Sequence, residues 1–409
     1  MRYNLIMLSV NDALGYIQNK VQKLSAEQVP IAHSQSRFLA EPIIADSDLP
    51  PFDRAQMDGY ALRAADVKRC PTRLQIVGES AAGRGWHHVL QPEQAVRIMT
   101  GAPVPVGADA VQQVEVTREV EDSLVVEILE SVVPGRSIVR RGTEVRAGET
   151  VLSEGEQINA AAVAVLASFG YSQVKVAPRP RVAVLATGTE LVPVDRRPGP
   201  DQIRDSNNYS IAAYASLAGA KIELLPLASD DTALLKRQIN EAAERSDLVI
   251  TSGGVSMGIY DFTKSALLEL GAEIFFDRVA LKPGKPTVFA QLPNNKLIFG
   301  LPGNPVSVSV TFNLFARTAI LAMQGANQTT LPEHWAILAR SVRGATGRES
   351  YLPARLSTNT AGQLIAEPLK WGGSSDFVAF AKATALINIR DGDSVVEANS
   401  VVRVVQLPV

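Results

Sequence analysis

Between residues 180 and 325, short apolar runs alternate with segments of helical periodicity, and no other feature constrains the fold of this chain more tightly. Arg181 to Thr187, Lys221 to Pro226, Asp247 to Thr251 and Leu297 to Gly300 have the length and composition of buried strands. Helical patterns separate them. One places Leu235, Ile239, Ala242 and Ala243 on a single face after Asp231, and another begins at Asn304, an N-cap residue followed by Pro305 at the first helical position. Alternation of this kind predicts a doubly wound, mostly parallel α/β sheet whose ligands bind outside the carboxyl ends of the strands.

The chain has 409 residues, too many for one hydrophobic core, so several domains are expected. From Leu8 to Leu24, Val10, Leu14, Ile17 and Val21 recur at helical spacing behind Ser9, a suitable N-cap. Residues 45 to 145 are rich in Pro and Gly, with β-prone pieces at Leu74 to Val77, Ala95 to Met99 and Ser123 to Leu129. A helical pattern returns over Glu156 to Phe169 and is expected to share a layer with the N-terminal helix. Beyond 330, Val/Ile/Leu runs such as Ala383 to Ile389 and Ser400 to Gln406 are divided by turn residues. The expected architecture is multidomain α/β: a helical linker domain from 1–45 plus 141–178, a β-rich insert over 46–140, the doubly wound domain over 179–328 and a C-terminal β-barrel-like domain over 329–409.

Forty basic residues against forty-two acidic ones give a formal charge of −2, which points to neither a nucleic-acid nor a membrane surface. The single cysteine, Cys70, cannot close an intrachain disulfide, and four scattered histidines argue against zinc chemistry. Asn11, Asp12 and Lys20 interrupt the N-terminal apolar patch before a signal segment or membrane span forms, so a cytoplasmic protein is expected.

Two loops stand out in the insert. In Pro51-Phe52-Asp53-Arg54-Ala55-Gln56-Met57-Asp58-Gly59-Tyr60, either Asp58 is presented to a ligand, or Asp58-Gly59 is a plain turn with Phe52, Met57 and Tyr60 as buried anchors. Around Thr100-Gly101-Ala102-Pro103, stiff prolines and glycines suit either a structural hairpin or close approach of backbone N–H groups to an anion.

Four loops fall at the carboxyl edge of the doubly wound sheet. Thr187-Gly188-Thr189-Glu190 offers hydroxyls and a carboxylate; Ser229-Asp230-Asp231 opens a helix, where Asp231 alone reads as an N-cap. In Ser252-Gly253-Gly254-Val255-Ser256-Met257-Gly258, followed by Asp261, small residues leave room for a phosphate or a ring. Lys282-Pro283-Gly284-Lys285-Pro286 carries two ammonium groups, either solvated or facing an oxyanion, and Gly300-Leu301-Pro302-Gly303-Asn304-Pro305-Val306-Ser307 opens a helix. Acidic and cationic groups at one edge suit a Mg²⁺ that bridges phosphates, with Asp230 and Asp261 as its candidate ligands.

These motifs, in this order from about Leu8 to the C-terminus, resemble the molybdopterin molybdenumtransferase family, which includes the gephyrin E domain. The resemblance implies an elongated homodimer that takes molybdate and adenylylated molybdopterin, hydrolyses the pyrophosphate link with Mg²⁺ and releases AMP and molybdenum cofactor. It implies catalytic roles for Asp58, Thr100, Glu144 and Glu190. It implies substrate binding by Ser252, Gly253, Gly254, Ser256, Lys282, Lys285, Pro302, Pro305, Ser307 and Ser374, and transient contact with other enzymes of the same biosynthesis. Two positions depart from the family pattern: Glu144 stands where an aspartate is usual, and Pro353 aligns with the usual cleft arginine, so that either Arg355 substitutes for it or the oxyanion site is weaker. The rival readings are a non-catalytic gephyrin-like scaffold and the related molybdopterin adenylyltransferase. The latter has no place for the insert or the C-terminal domain.

Overall fold

The computed structural model describes residues 7–228, 231–254, 262–392 and 395–408. Its doubly wound sheet runs in the order Lys221–Leu224, Arg181–Ala186, Leu248–Ser252, Leu297–Leu301, Val288–Gln291, Glu273–Phe276. The first four strands are parallel, with Val182 beside Leu248 and Leu248 beside Leu297; the last two are antiparallel. Both faces of the three inner parallel strands are covered, which explains why Val182 to Ala186 is buried without interruption instead of alternating, whereas the edge strand Lys221–Leu224 is largely exposed.

Alternate side chains of each strand enter different layers. Val182, Val184 and Ile250 join Ile211, Ala215, Phe276 and Phe315 on one side; Ala183, Leu185 and Val249 join Leu235, Ile239, Ala242 and Leu267 on the other. Each fully buried aliphatic side chain contributes ~1.5–3 kcal/mol of transfer free energy. The helix Pro305–Met323 is long and apolar enough to cross a membrane by composition, yet it is mostly buried, and a π turn at Phe312–Ala316 interrupts it.

The N-terminal helix Val10–Lys20 is capped by Ser9, whose hydroxyl accepts from the Asp12 N–H at 3.1 Å. Val10, Ala13 and Ile17 form its buried stripe against the α/β core. The second helical pattern folds as Ala160–Ser168 and belongs to the other of the two compact units into which the chain divides.

Contacts gather the chain into two units. One runs through Glu41 and includes Glu154–Asn159 and everything from Gln173; the other comprises Pro42–Ser153 and Ala160–Ser172. In the first unit, the C-terminal strands Glu349–Thr358, Leu364–Pro368, Glu333–Leu338, Val401–Gln406 and Ala385–Ile389 close on themselves, because Ala385–Ile389 pairs back with Glu349–Thr358. Closure removes exposed strand edges around a core of Leu338, Ala354, Ile387 and Val404. A short strand, Leu281–Lys282, pairs in parallel with Glu349 and Ser350.

The second unit holds a six-stranded sheet in the order Ala110–Gln113, Gly59–Leu62, Gln94–Ile98, Thr72–Ser80, Val125–Ile128, Thr117–Glu119. Tyr60, Leu62, Leu74 and Val126 fill one face; Ala61, Val96 and Ile98 fill the other. Gly59 is required by packing, since a Cβ there would sit 2.0 Å from the Gln112 carbonyl oxygen.

Candidate active site

Three parallel strands end side by side, and the loops that follow them form the principal cavity. Thr187 N–H donates to the Ser252 carbonyl at 2.9 Å and Gly253 N–H donates to that of Leu301 at 3.2 Å, so the loops are tied together before they diverge. Gly253 has φ +88°, and a Cβ on it would lie 2.3 Å from the Thr187 carbonyl oxygen. Only glycine lets these strand ends approach so closely.

The cavity has a volume of about 970 Å³. Of the expected site residues, Glu190, Ser252, Gly253, Gly254, Pro302 and Pro305 line it. Glu190 folds back over Gly188, where a Cβ would meet its carboxylate oxygens at 2.6 and 2.7 Å. Ser252 is 1% exposed, and its hydroxyl has no hydrogen-bond partner among the described residues.

Two other expected residues, Ser307 and Ser374, sit at the first turn of the Pro305–Met323 helix without lining the cavity, and Lys282 and Lys285 do not line it either. The Ser374 carbonyl accepts from the Val306 N–H at 2.9 Å, and Ser307 is buried. The loop carrying Lys282 and Lys285 packs on the following turn of that helix at Gly284, where a Cβ would lie 2.3 Å from Thr311 Cγ2. Pro286, Pro305 and Ser375, their chain neighbours, do reach the cavity wall. Asp376 caps the short Phe377–Phe380 helix by accepting from the Ala379 N–H at 3.1 Å; that N–H and the Gly372 N–H hold its carboxyl below the ordinary value, the Gly372 bond most strongly.

Ser256, Asp230 and Asp261 lie outside the described residues. Asp231 is the N-cap of Thr232–Arg245, accepting from the Leu234 N–H at 3.0 Å. Asn304 occupies the N-cap position as expected, with no side-chain hydrogen bond to the helix. Pro353 is buried on a barrel strand and Arg355 is exposed.

In the insert, Asp58 Oδ1 accepts from both the Thr100 N–H at 2.7 Å and the Thr100 hydroxyl at 2.9 Å. These bonds, the backbone one first, hold the Asp58 carboxyl below its ordinary value. Of the three proposed apolar anchors, Tyr60 is buried, whereas Phe52 and Met57 are more than 40% exposed. The plain-turn reading fails for those two as buried anchors, and Ala55 is the residue of this loop that enters the core.

Glu144 pairs with Arg54 at 3.1 Å. The loop that carries Glu144 is fastened by two further acids: Asp53 accepts from the Arg141 N–H at 2.8 Å and pairs with Arg140 at 2.6 Å, and Asp48 pairs with Arg141 at 2.6 Å. Partial burial pushes the Asp53 carboxyl up, but the Arg141 N–H and the Arg140 guanidinium outweigh it and hold it low. The sequence reading missed Asp48, Asp53, Arg54, Arg140 and Arg141 because their partners lie about ninety residues away. It also missed Asp205, Asn207 and Phe377, all on the cavity wall. For the first two a signal existed, a run of Asp, Ser and Asn ahead of an apolar helical pattern.

Three family models match the chain in succession: the MoeA N-terminal region (domain I and II) over residues 8–170, a probable molybdopterin binding domain over 183–322, and the MoeA C-terminal region (domain IV) over 336–407. A molybdopterin molybdenumtransferase of Nostoc sp. is 36% identical, covering 98% of this chain and 94% of its own length. The chain belongs to the molybdopterin molybdenumtransferase family. Family members of the same name from Haemophilus influenzae and Staphylococcus aureus are 36% and 33% identical over 92% and 97% of this chain. Its fold agrees with the crystal structure of a molybdopterin biosynthesis MoeA protein from Pyrococcus horikosii, with a TM-score of 0.81 at 31% identity, covering 98% of this chain and 99% of that one. A second such protein, from Pyrococcus horikoshii OT3, superimposes with a TM-score of 0.85 at 26% identity, covering 98% and 100%.

Proposed function

We propose that this enzyme transfers molybdenum from molybdate to the dithiolene of adenylylated molybdopterin, with hydrolysis of the pyrophosphate link and release of AMP. The observation that carries the reading is the cavity at the carboxyl edge of the doubly wound sheet. At about 970 Å³ it has the volume of a nucleotide-sized ligand, and its Gly253-Gly254 wall ends a buried parallel strand. The buried Ser252 hydroxyl is an open hydrogen-bonding group at that wall.

In this reading Ser252, Gly253, Gly254 and Ser256 cradle the substrate, with Pro302 and Pro305 as rigid walls. Lys282, Lys285, Ser307 and Ser374 attract the oxyanions around the helix start. Asp58, Thr100, Glu144 and Glu190 carry the chemistry, with water adding at the pyrophosphate and AMP leaving.

The implied cation is Mg²⁺. Among the described residues no three acidic, histidine or cysteine side chains cluster as a metal cage, and the described carboxylates of the cavity are Glu190 and Asp205. Mg²⁺ takes few carboxylates beside water and phosphate oxygens, so the exposed Glu190 fits such a site, with Asp230 and Asp261 proposed as further ligands. Bound there, it would neutralise charge that develops on the pyrophosphate. The proposal includes a cytoplasmic homodimer with the four-part domain division expected from sequence.

Purified protein given adenylylated molybdopterin, Mg²⁺ and molybdate is expected to release AMP in step with cofactor formation. Absence of AMP under those conditions refutes the assignment. Asp261→Asn is expected to leave the circular dichroism spectrum unchanged while lowering Mg²⁺-dependent turnover sharply.

A further inference from the structure

Part of the cavity wall is built by the start of the Asn207–Leu217 helix, and two hydrogen-bond acceptors stand there within three residues. Asp205 is 4% exposed and lines the cavity. Its Oδ1 accepts from the Asn208 N–H at 3.1 Å, and the Asn208 side chain and the Asn207 N–H also bond the carboxylate; two carboxylate oxygens accept roughly four hydrogen bonds, so one position remains for a ligand. Asn207, also on the wall, donates its Nδ2 to the Gly303 carbonyl at 2.8 Å. Its Oδ1 is buried and has no partner among the described residues. The Nδ2 bond sets the amide orientation, so the free atom is the acceptor.

A buried acceptor left unmet costs free energy, and a ligand that supplies a donor recovers it. We infer that Asp205 and Asn207 read the donor edge of the substrate's pterin, the adjacent ring N–H and exocyclic amino group of its 2-aminopyrimidin-4-one ring. Adenine fits the pair poorly, because its amino group lies next to a ring nitrogen that is itself an acceptor. The Phe377 ring, half exposed on the same cavity, supplies an aromatic face beside this wall. Burial pushes the Asp205 carboxyl above its ordinary value, against the hydrogen bonds from Asn208 and the Asn207 N–H that favour the ionised form. This inference rests on the reading of the cavity as the pterin nucleotide site.

Guanine presents the same edge, so the test separates ring systems. Pterin and lumazine, the same bicycle with a carbonyl at the amino-bearing carbon, are titrated into the full-length protein by fluorescence, with GMP and AMP as competitors. The wild type is expected to bind pterin about tenfold or more tightly than lumazine, and GMP less tightly than pterin. Asp205→Asn keeps the Oδ1 acceptor for the helix and turns a donor toward the ligand, so it is expected to abolish the preference while AMP competes as before. Asn207→Ser, which removes the amide acceptor without touching Asp205, is expected to reduce the preference, and circular dichroism checks both folds. Equal binding of pterin and lumazine by the wild type, an unchanged preference in both variants, tighter binding of GMP than pterin, or a parallel loss of AMP binding overturns the inference. The titration needs no turnover, so a protein that discriminates the rings yet releases no AMP fails the proposed reaction and not this assignment.

Discussion

Gly253→Ala tests the idea that backbone closeness at the strand ends defines the site. At φ +88° an alanine is strained by ~1–3 kcal/mol. Its Cβ would also begin 2.3 Å from the Thr187 carbonyl oxygen and must retreat by about 1.1 Å to reach ordinary contact at 3.4 Å. A backbone oxygen cannot step aside by changing rotamer, so the displacement passes to the loops at Ser252 and Leu301 through their hydrogen bonds. For a domain of ~150 residues the strain lowers Tm by only ~2–10 °C. A misplacement of ~1 Å in a preorganised site costs ~100-fold in rate, or ~2.7 kcal/mol of barrier. The assay is AMP release, read as kcat/KM, beside a thermal melt. Gly362→Ala supplies the control, because Gly362 has φ +77° with nothing within 4 Å of its Cβ, and should lose stability alone. Gly253→Ala within threefold of wild-type activity, or an equal activity loss in Gly362→Ala, would refute the reasoning.

Arg54→Ala is expected to change stability by less than ~1 kcal/mol, since its pair with Glu144 is substantially exposed. It should lower kcat/KM only while Glu144 is present, so additive losses in a double-mutant cycle with Glu144→Gln would show that Arg54 does not act through Glu144. Thr100→Val removes one of the two bonds that depress the Asp58 carboxyl, and its titration midpoint by carboxyl NMR should rise. Because the folded value is depressed, this interaction contributes above the ordinary carboxylate range and is lost as pH falls through the folded value. The Asp205 carboxyl is raised instead, so its penalty is absent at low pH and grows as pH rises through the unfolded value; Asp205→Asn should therefore gain Tm relative to wild type between pH 4 and pH 7, and a constant difference would contradict the burial argument.

The doubly wound sheet was legible because its three inner parallel strands are buried on both faces and so appear as short apolar runs. Glu273–Phe276 and Val288–Gln291 were not legible, since these two short antiparallel strands at one end of the sheet carry no helix between them to mark the alternation. The loops at Gly253 and Pro305 declared themselves through glycine and proline, whose backbone roles are local. Glu144 could be named from the sequence, but its partner Arg54 could not, since an ion pair closed across ninety residues leaves no spacing to read. Asp205 and Asn207 look like ordinary helix-start residues, and only the cavity distinguishes them.

The two-residue strand Leu281–Lys282 has a consequence for anyone recombining members of this family. It joins the segment bearing both lysines to Glu349 and Ser350 on the barrel wall, so a barrel transplanted from a relative brings its own seat for that segment. A chimera cut near residue 329 therefore splits one pairing between two parents, and functional hybrids should be those in which the short strand and its seat travel together.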